Sequence, residues 1–141
     1  GDIVVTEKLD GGNCCIHQGR VYARTHAQEA THRSFGPIKA LAATLCGAWD
    51  SDLAFFGENM TGIHSIEYKN LTSYFYLFAV RRADGHWLPW AAVEQHAERL
   101  GLPTVPVLFK GRIPSLQDLR GLMDRAAQSH SAVGLGVKPE G

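Results

Sequence analysis

Asn13-Cys14-Cys15-Ile16-His17-Gln18-Gly19-Arg20-Val21-Tyr22-Ala23-Arg24 is the stretch whose reading decides the fold. Two short strands flanking Gln18-Gly19 make a hairpin, because a tight two-residue link needs a residue tolerant of positive φ. An early hairpin implies antiparallel pairing. Upstream, Asp2-Ile3-Val4-Val5-Thr6-Glu7-Lys8 is rich in β-branched residues and is predicted to be a strand, broken at Gly11-Gly12. Downstream, residues 25–35 are polar and are predicted to form a loop carrying His26 and His32. Pro37 to Leu45 is predicted to be helical, with its proline in the first turn and Gly47 near the end. Leu53 to Glu58 and Ser73 to Val80 read as buried strands, and Asp84-Gly85 as a turn. Trp90 to Leu100 is an amphipathic helix stopped by Gly101 and Pro103. Thr104 to Phe109 reads as a strand whose prolines mark a sheet edge or the strand's ends. A last helix begins at Ser115 or Pro114 and runs through Gln128, and Val133 to Val137 is a further strand segment. Helices and strands mix without a strict βαβ repeat. The predicted class is therefore α+β with an antiparallel sheet and outer helices.

Composition narrows the function classes. The chain has 141 residues, enough for one domain, and 45% of them are apolar, enough for a core. Lys+Arg and Asp+Glu balance at 14 each, which excludes a histone-like basic protein but leaves room for a basic groove on one face. No apolar run is long enough to span a membrane, and the first residues show no signal-peptide pattern. Cys14, Cys15 and Cys46 form no C-x-x-C pair and are expected to be reduced thiols in a cytoplasmic chain. Asn59-Met60-Thr61 and Asn70-Leu71-Thr72 match the glycosylation pattern and are read as chance. The oligomeric state stays open.

Chemistry is first suggested by Glu7-Lys8-Leu9-Asp10-Gly11. A lysine at a strand end, followed by a turn, puts an amine within a ligand's reach. Such an amine becomes a nucleophile in a dry pocket or beside other cations. Attack on the α-phosphate of ATP gives a phosphoamide and releases pyrophosphate. By chance alone, K-x-D-G occurs in roughly one chain in thirty of this length. The tetrapeptide by itself is equally a solvated lysine beside an Asp-Gly turn. Its weight comes from the motifs downstream of it and from their order along the chain.

Lys8-Leu9-Asp10-Gly11 resembles the first motif of the covalent nucleotidyltransferases, the polynucleotide ligases and mRNA capping enzymes. Extended to Gly12-Asn13, it looks like the form in nick-sealing ATP-dependent RNA ligases of the phage T4 type, where an Asn stands in place of the Arg of DNA ligases. Arg24 fits the arginine on the following hairpin, with Arg33 as the substitute. Phe56-Gly57-Glu58 resembles the third motif, an F-G-E strand end. Phe75-Tyr76-Leu77-Phe78-Ala79-Val80 resembles F-Y-x-F-D-I, departing from it at Ala79 where the family often has Asp. Glu140-Gly141 resembles the start of the fourth motif.

The resemblance implies an antiparallel nucleotidyltransferase fold, ATP-grasp-like, with helices outside. It makes Lys8 the nucleophile, with Glu7 helping to recognise adenine and Asn13 orienting the reacting phosphate. Arg24 would contact the nucleotide or the RNA end. Glu58 would accept hydrogen bonds from the ribose hydroxyls, and Phe78 would stack on adenine. Glu140 would be catalytic by holding Mg²⁺ or Mn²⁺ through water, which needs few carboxylates. The implied activity joins an RNA 5′-phosphate to a 3′-hydroxyl through lysine self-adenylylation by ATP. A fifth motif, K-x-K, and a C-terminal domain are not in these residues, so 1–141 is expected to be one partial adenylyltransferase domain. The alternatives are a DNA ligase or capping-type enzyme, against which Asn13 speaks, and a non-catalytic nucleotide- or RNA-binding module.

Other residues carry less. Seven histidines are scattered without zinc spacing. Trp87 and Trp90 flank Leu88-Pro89 and are expected to pack as a staple before the helix. Arg81, Arg82, Lys110 and Arg112 fit a nucleic-acid groove or a solvated strand end equally well.

Overall fold

A computed structural model describes residues 3–9, 11–23, 29–61, 73–112 and 115–128. The hairpin forms as expected. Gln18 and Gly19 both adopt positive φ, 54° and 77°, which suits the twist of a two-residue link. They join β2 (Gly12–His17) to β3 (Arg20–Tyr22). β4 (Leu53–Asn59) pairs antiparallel with the other edge of β2, and β5 (Phe75–Arg82) pairs antiparallel with β4. The sheet order is β3-β2-β4-β5.

One face of this sheet is the core. Cys14 and Ile16 of β2, Leu53 and Phe55 of β4, and Phe75, Leu77 and Val80 of β5 are buried together. Helix α1 (Gly36–Thr44) contributes Ile38 and Ala42, and α2 (Trp90–Leu100) contributes Val93, Ala97 and Leu100. Trp49 joins them edge-on to Phe55, with ring centroids 5.2 Å apart, and donates its indole N–H to the Ala42 carbonyl at 2.9 Å. Gly57 lies on this face because nothing larger fits. A Cβ there would stand 2.6 Å from the Phe75 ring and 2.7 Å from the Tyr76 carbonyl oxygen. The loop predicted over 25–35 holds, within its described part, a short 3₁₀ turn (Arg33–Phe35) capped by the His32 side chain.

The register of β4 against β5 slips between Phe56 and Gly57. Phe56 faces Ala79 while Gly57 faces Leu77, so Phe78 is the extra residue of a β-bulge. After it, Val80 returns to the core and Arg81 points to the opposite face, opposite Ala54.

α2 ends where Gly101 turns to φ 67°, and the chain returns along β5. Leu77 donates to Pro103 O at 2.9 Å and accepts from Val105 N at 3.0 Å. The chain then enters β6 (Val107–Gly111), which pairs antiparallel with β1 (Ile3–Thr6) as a second sheet. The predicted strand 104–109 is thus displaced toward β6, because Pro103 and Pro106 lack the N–H groups a ladder needs. α3 (Leu116–Gln128) follows, with Leu116 and Met123 exposed. The segment 133–137 lies outside the described residues.

Candidate functional site

The site begins where β1 runs out. Glu7 donates its backbone N–H to Pro106 O at 2.8 Å, keeping the chain extended past the last ladder pair. Extended backbone alternates its side chains. Glu7 and Leu9 are therefore buried, at 3% exposure each, and Lys8 between them is exposed.

Residues 7–9 form one wall of a cavity of about 350 Å³. Val4 and Thr6 of β1 continue that wall, and Glu58 of β4, Phe78 of β5, Trp90 at the start of α2 and Val105 complete the lining. Leu9 and Val105 of its lining belong to a small buried apolar cluster with Met60 and Tyr76, against which Phe78 and Trp90 pack. The lining divides between ionic groups, Lys8, Glu7 and Glu58, and apolar ones, Phe78, Trp90 and Val105. Such a division suits a ligand with a flat apolar ring at one end and charged groups at the other.

Asn13 stands directly opposite Glu58 in the β2–β4 ladder, on the same sheet face. Among the described residues neither its buried side-chain oxygen nor the buried Trp90 indole N–H has a hydrogen-bond partner. Gly11 is a close approach: a Cβ there would stand 2.7 Å from the Asn59 carbonyl oxygen and 3.0 Å from Glu58 Oε2. A glycine two residues after Leu9 thus lets the lysine turn pack onto the carboxylate strand. Just beyond Glu58, the Asn59 side chain is buried. It donates to Ser34 O at 3.1 Å and accepts from Thr61 N at 3.0 Å, so it has a structural partner at each end and is no sugar acceptor.

Of the residues singled out in sequence, Lys8, Glu7, Glu58 and Phe78 line one cavity, and Asn13 is the ladder partner of Glu58. Asp10, Arg24 and Glu140 lie outside the described residues. Arg33 is exposed in the 3₁₀ turn and does not line the cavity. Trp87 and Trp90 do not form the expected staple. Trp90 lines the cavity, whereas Trp87 is exposed and lies against Phe56, with centroids 5.1 Å apart. Residue spacing gave no sign of Trp90 or Val105, which join the site only through the return of the chain from α2 to β6, whereas Val4 and Thr6 line it as the strand leading into Lys8. Among the described residues no cluster of three His, Cys, Asp or Glu side chains could hold a metal ion.

The sequence-family model for RNA ligase matches residues 1–140. The chain belongs to the RNA ligase family. Two solved structures share its fold. An archaeal ATP-dependent RNA ligase, form 2, matches 89% of this chain with a TM-score of 0.66 and 16% identity. Form 1 of the archaeal ATP-dependent RNA ligase matches 89% of it with a TM-score of 0.61 and 19% identity. At such identities the likeness is one of fold, and it bears out the α+β nucleotidyltransferase architecture. The chain spans about a third of those ligases' length, 36% and 34%. A search of curated proteins returns no similar sequence. No helix among the described residues of this RNA ligase family member is long and apolar enough to cross a membrane.

Proposed function

We propose that this chain carries the AMP-accepting site of an ATP-dependent RNA ligase, with Lys8 as nucleophile. The observation that supports this best is the meeting, in one cavity, of Lys8, Glu7, Glu58 and Phe78, which are up to 71 positions apart in the chain. ATP enters as substrate. Its adenine stacks on Phe78 and is read by Glu7, and its ribose hydroxyls donate to the Glu58 carboxylate. Asn13, with an unused acceptor and an amide donor beside Glu58, orients the reacting phosphate. Lys8 Nζ attacks the α-phosphorus. An N–P bond forms, the bond to the bridging oxygen breaks, pyrophosphate leaves, and the amine gives up its proton.

In the second step the AMP moves from Lys8 to an RNA 5′-phosphate, and in the third a 3′-hydroxyl displaces AMP and seals the strand. Holding reactants in line contributes most of the acceleration in such transfers. A divalent ion, Mg²⁺ or Mn²⁺, supplies charge neutralisation at the triphosphate when bound. Glu140 is the residue proposed to hold it through water, and Arg24 the residue proposed to meet the RNA end. The nick-sealing subtype is proposed on Asn13. The substrates and the second and third steps belong to the whole ligase, of which the AMP site is one part.

The test is intact mass after incubation with ATP and Mg²⁺. The parent chain is expected to gain one AMP and Lys8→Ala none. Lys8→Arg is expected to gain none either, since a guanidinium is no nucleophile near neutral pH. A parent chain that binds ATP yet never gains mass, alone or lengthened beyond Gly141, would refute the reading.

A further inference from the structure

The face of the four-stranded sheet that carries Asn13 and Glu58 does not end at the AMP cavity. Along β2, Asn13 is followed on that face by Cys15 and His17; along β4, Glu58 is followed by Phe56 and Ala54. Along them lies an open groove of about 720 Å³, lined by Cys15, His17, Tyr22, Asp52, Ala54, Phe56 and residues 81–85. The five residues of strand from Asn13 to His17 span about 13 Å in four steps, roughly the rise of four nucleotide steps in a stacked strand.

One working part, Arg81, lines the groove; the other, Trp87, stands beside it, packed on Phe56 and Arg81. Arg81 and Trp87 form an antiparallel bridge across the Asp84-Gly85 turn, closed by hydrogen bonds from Arg82 N to His86 O (2.8 Å) and from Leu88 N to Val80 O (2.9 Å). This fixes the Arg81 guanidinium 5.4 Å from the Phe56 ring centroid and 5.5 Å from that of Trp87. Trp87 is 55% exposed, a high value for a tryptophan held in place by two neighbours. Among the described residues Arg81 has no carboxylate partner, while Arg82 and His86 both engage Asp84. The floor is uncharged, since burial pushes the Cys15 thiol up to about 11 against the pull of Arg81. An exposed indole held beside an unpaired guanidinium is the pairing that takes a base on one and its phosphate on the other. Two carboxylates, Asp52 and Asp84, also line the groove, and Asp84 is paired with Arg82 and His86.

We propose that this groove is a second nucleotide subsite, binding an RNA strand a few nucleotides from the reacting end, with one base stacked on Trp87 and a phosphate on Arg81. The proposal rests on the RNA-ligase reading and extends it. Both side chains are exposed, so neither substitution threatens the core.

The test measures binding of a 5′-phosphorylated single-stranded RNA to the full chain, beside AMP transfer to Lys8 in the same preparations. Trp87→Ala is expected to weaken RNA binding roughly tenfold, and Trp87→Phe much less. Arg81→Gln is expected to lower the slope of log affinity against log salt by about one. Lys8 labelling should be unchanged in all three. RNA affinity that ignores both Trp87→Ala and Arg81→Gln, in protein that still labels on Lys8, overturns the groove and leaves the ligase reading standing. A parent chain that neither labels nor binds RNA overturns both.

Discussion

Adjacent glycines with opposite surroundings give the sharpest test of how the lysine turn is seated. A Cβ on Gly11 would stand 2.7 Å from the Asn59 carbonyl oxygen, 2.7 Å from Met60 Sδ and 3.0 Å from Glu58 Oε2. A Cβ on Gly12 would meet nothing within 4 Å among the described residues. Neither glycine has a positive φ, so backbone conformation does not separate them. The Met60 thioether and the Glu58 carboxylate can swing aside. The Asn59 carbonyl cannot, because it belongs to β4, and it would have to move by about 0.7 Å to reach the 3.4 Å of ordinary contact. Overpacking of this kind costs about 1–3 kcal/mol. Replacing glycine by alanine also restricts the unfolded chain, which is worth about 0.4–1 kcal/mol in favour of folding.

Gly11→Ala should therefore destabilise by about 1–2 kcal/mol net, and Gly12→Ala should be neutral or slightly stabilising. At this chain length each kcal/mol shifts the melting temperature by roughly 3–4 °C. Thermal unfolding of the two variants side by side reads the difference. ATP binding, followed by titration calorimetry, should weaken in Gly11→Ala because Glu58 is pushed from its place, and should hold in Gly12→Ala. If Gly11→Ala melts at or above Gly12→Ala, the close seating of the lysine turn on β4 is wrong.

Further predictions concern the cavity, the thiols and pH. Phe78→Ala should weaken ATP binding by roughly 5- to 100-fold, the worth of one base stacked on an aromatic ring, while Phe78→Tyr should retain most of it; equilibrium binding to each variant decides. Burial holds the Cys14 thiol up at about 12 and that of Cys15 at about 11, so neither is a thiolate near neutral pH. Alkylation of the folded chain should mark exposed Cys46 alone, with all three cysteines labelled in denaturant, as peptide mass mapping will show. His96 titrates below the ordinary imidazole value of 6.5, chiefly through burial and next through Arg99, with Asp50 opposing. The unfolded chain therefore takes up this proton first as pH falls, so stability from His96 is full above about 6.5 and is lost below it. Denaturant melts from pH 8 to pH 5 should show a decline that His96→Gln reduces.

The strands, the hairpin and both long helices were legible because local chemistry marks them. Gln18-Gly19, Asp84-Gly85, Gly101 and Pro103 punctuate the chain where the backbone turns. The ionic half of the cavity was legible too: Lys8 follows a strand end where a ligand can reach, and Glu7 and Glu58 came from the resemblance of their motifs. Of its apolar half only Phe78 was, through the resemblance of its strand to F-Y-x-F-D-I. Trp90 and Val105 resemble any helix start and any strand residue, and only the return of the chain from α2 past β5 brings them beside Lys8. Trp87 was misread for a related reason. Its place is set by its bridge to Arg81 across a turn, a pairing that its neighbours Leu88 and Pro89 do not announce.

Strict alternation along β5 would put Tyr76, Phe78 and Val80 on one face, and Leu77, Ala79 and Arg81 on the other. A sheet built that way would bury a guanidinium in the core or expose Val80. The bulge between Phe56 and Gly57 resolves the conflict: Tyr76 and Phe78 keep the cavity face, Ala79 joins them opposite Phe56, and Val80 and Arg81 exchange sides. Gly57 sits beside the slip because Phe75 and the Tyr76 carbonyl press against it. One extra residue thus gives a single sheet face both an aromatic platform in the cavity and a cation further along. The glycine between Phe56 and Glu58, read in sequence only as part of a strand-end motif, is where the packing of β5 makes that arrangement fit.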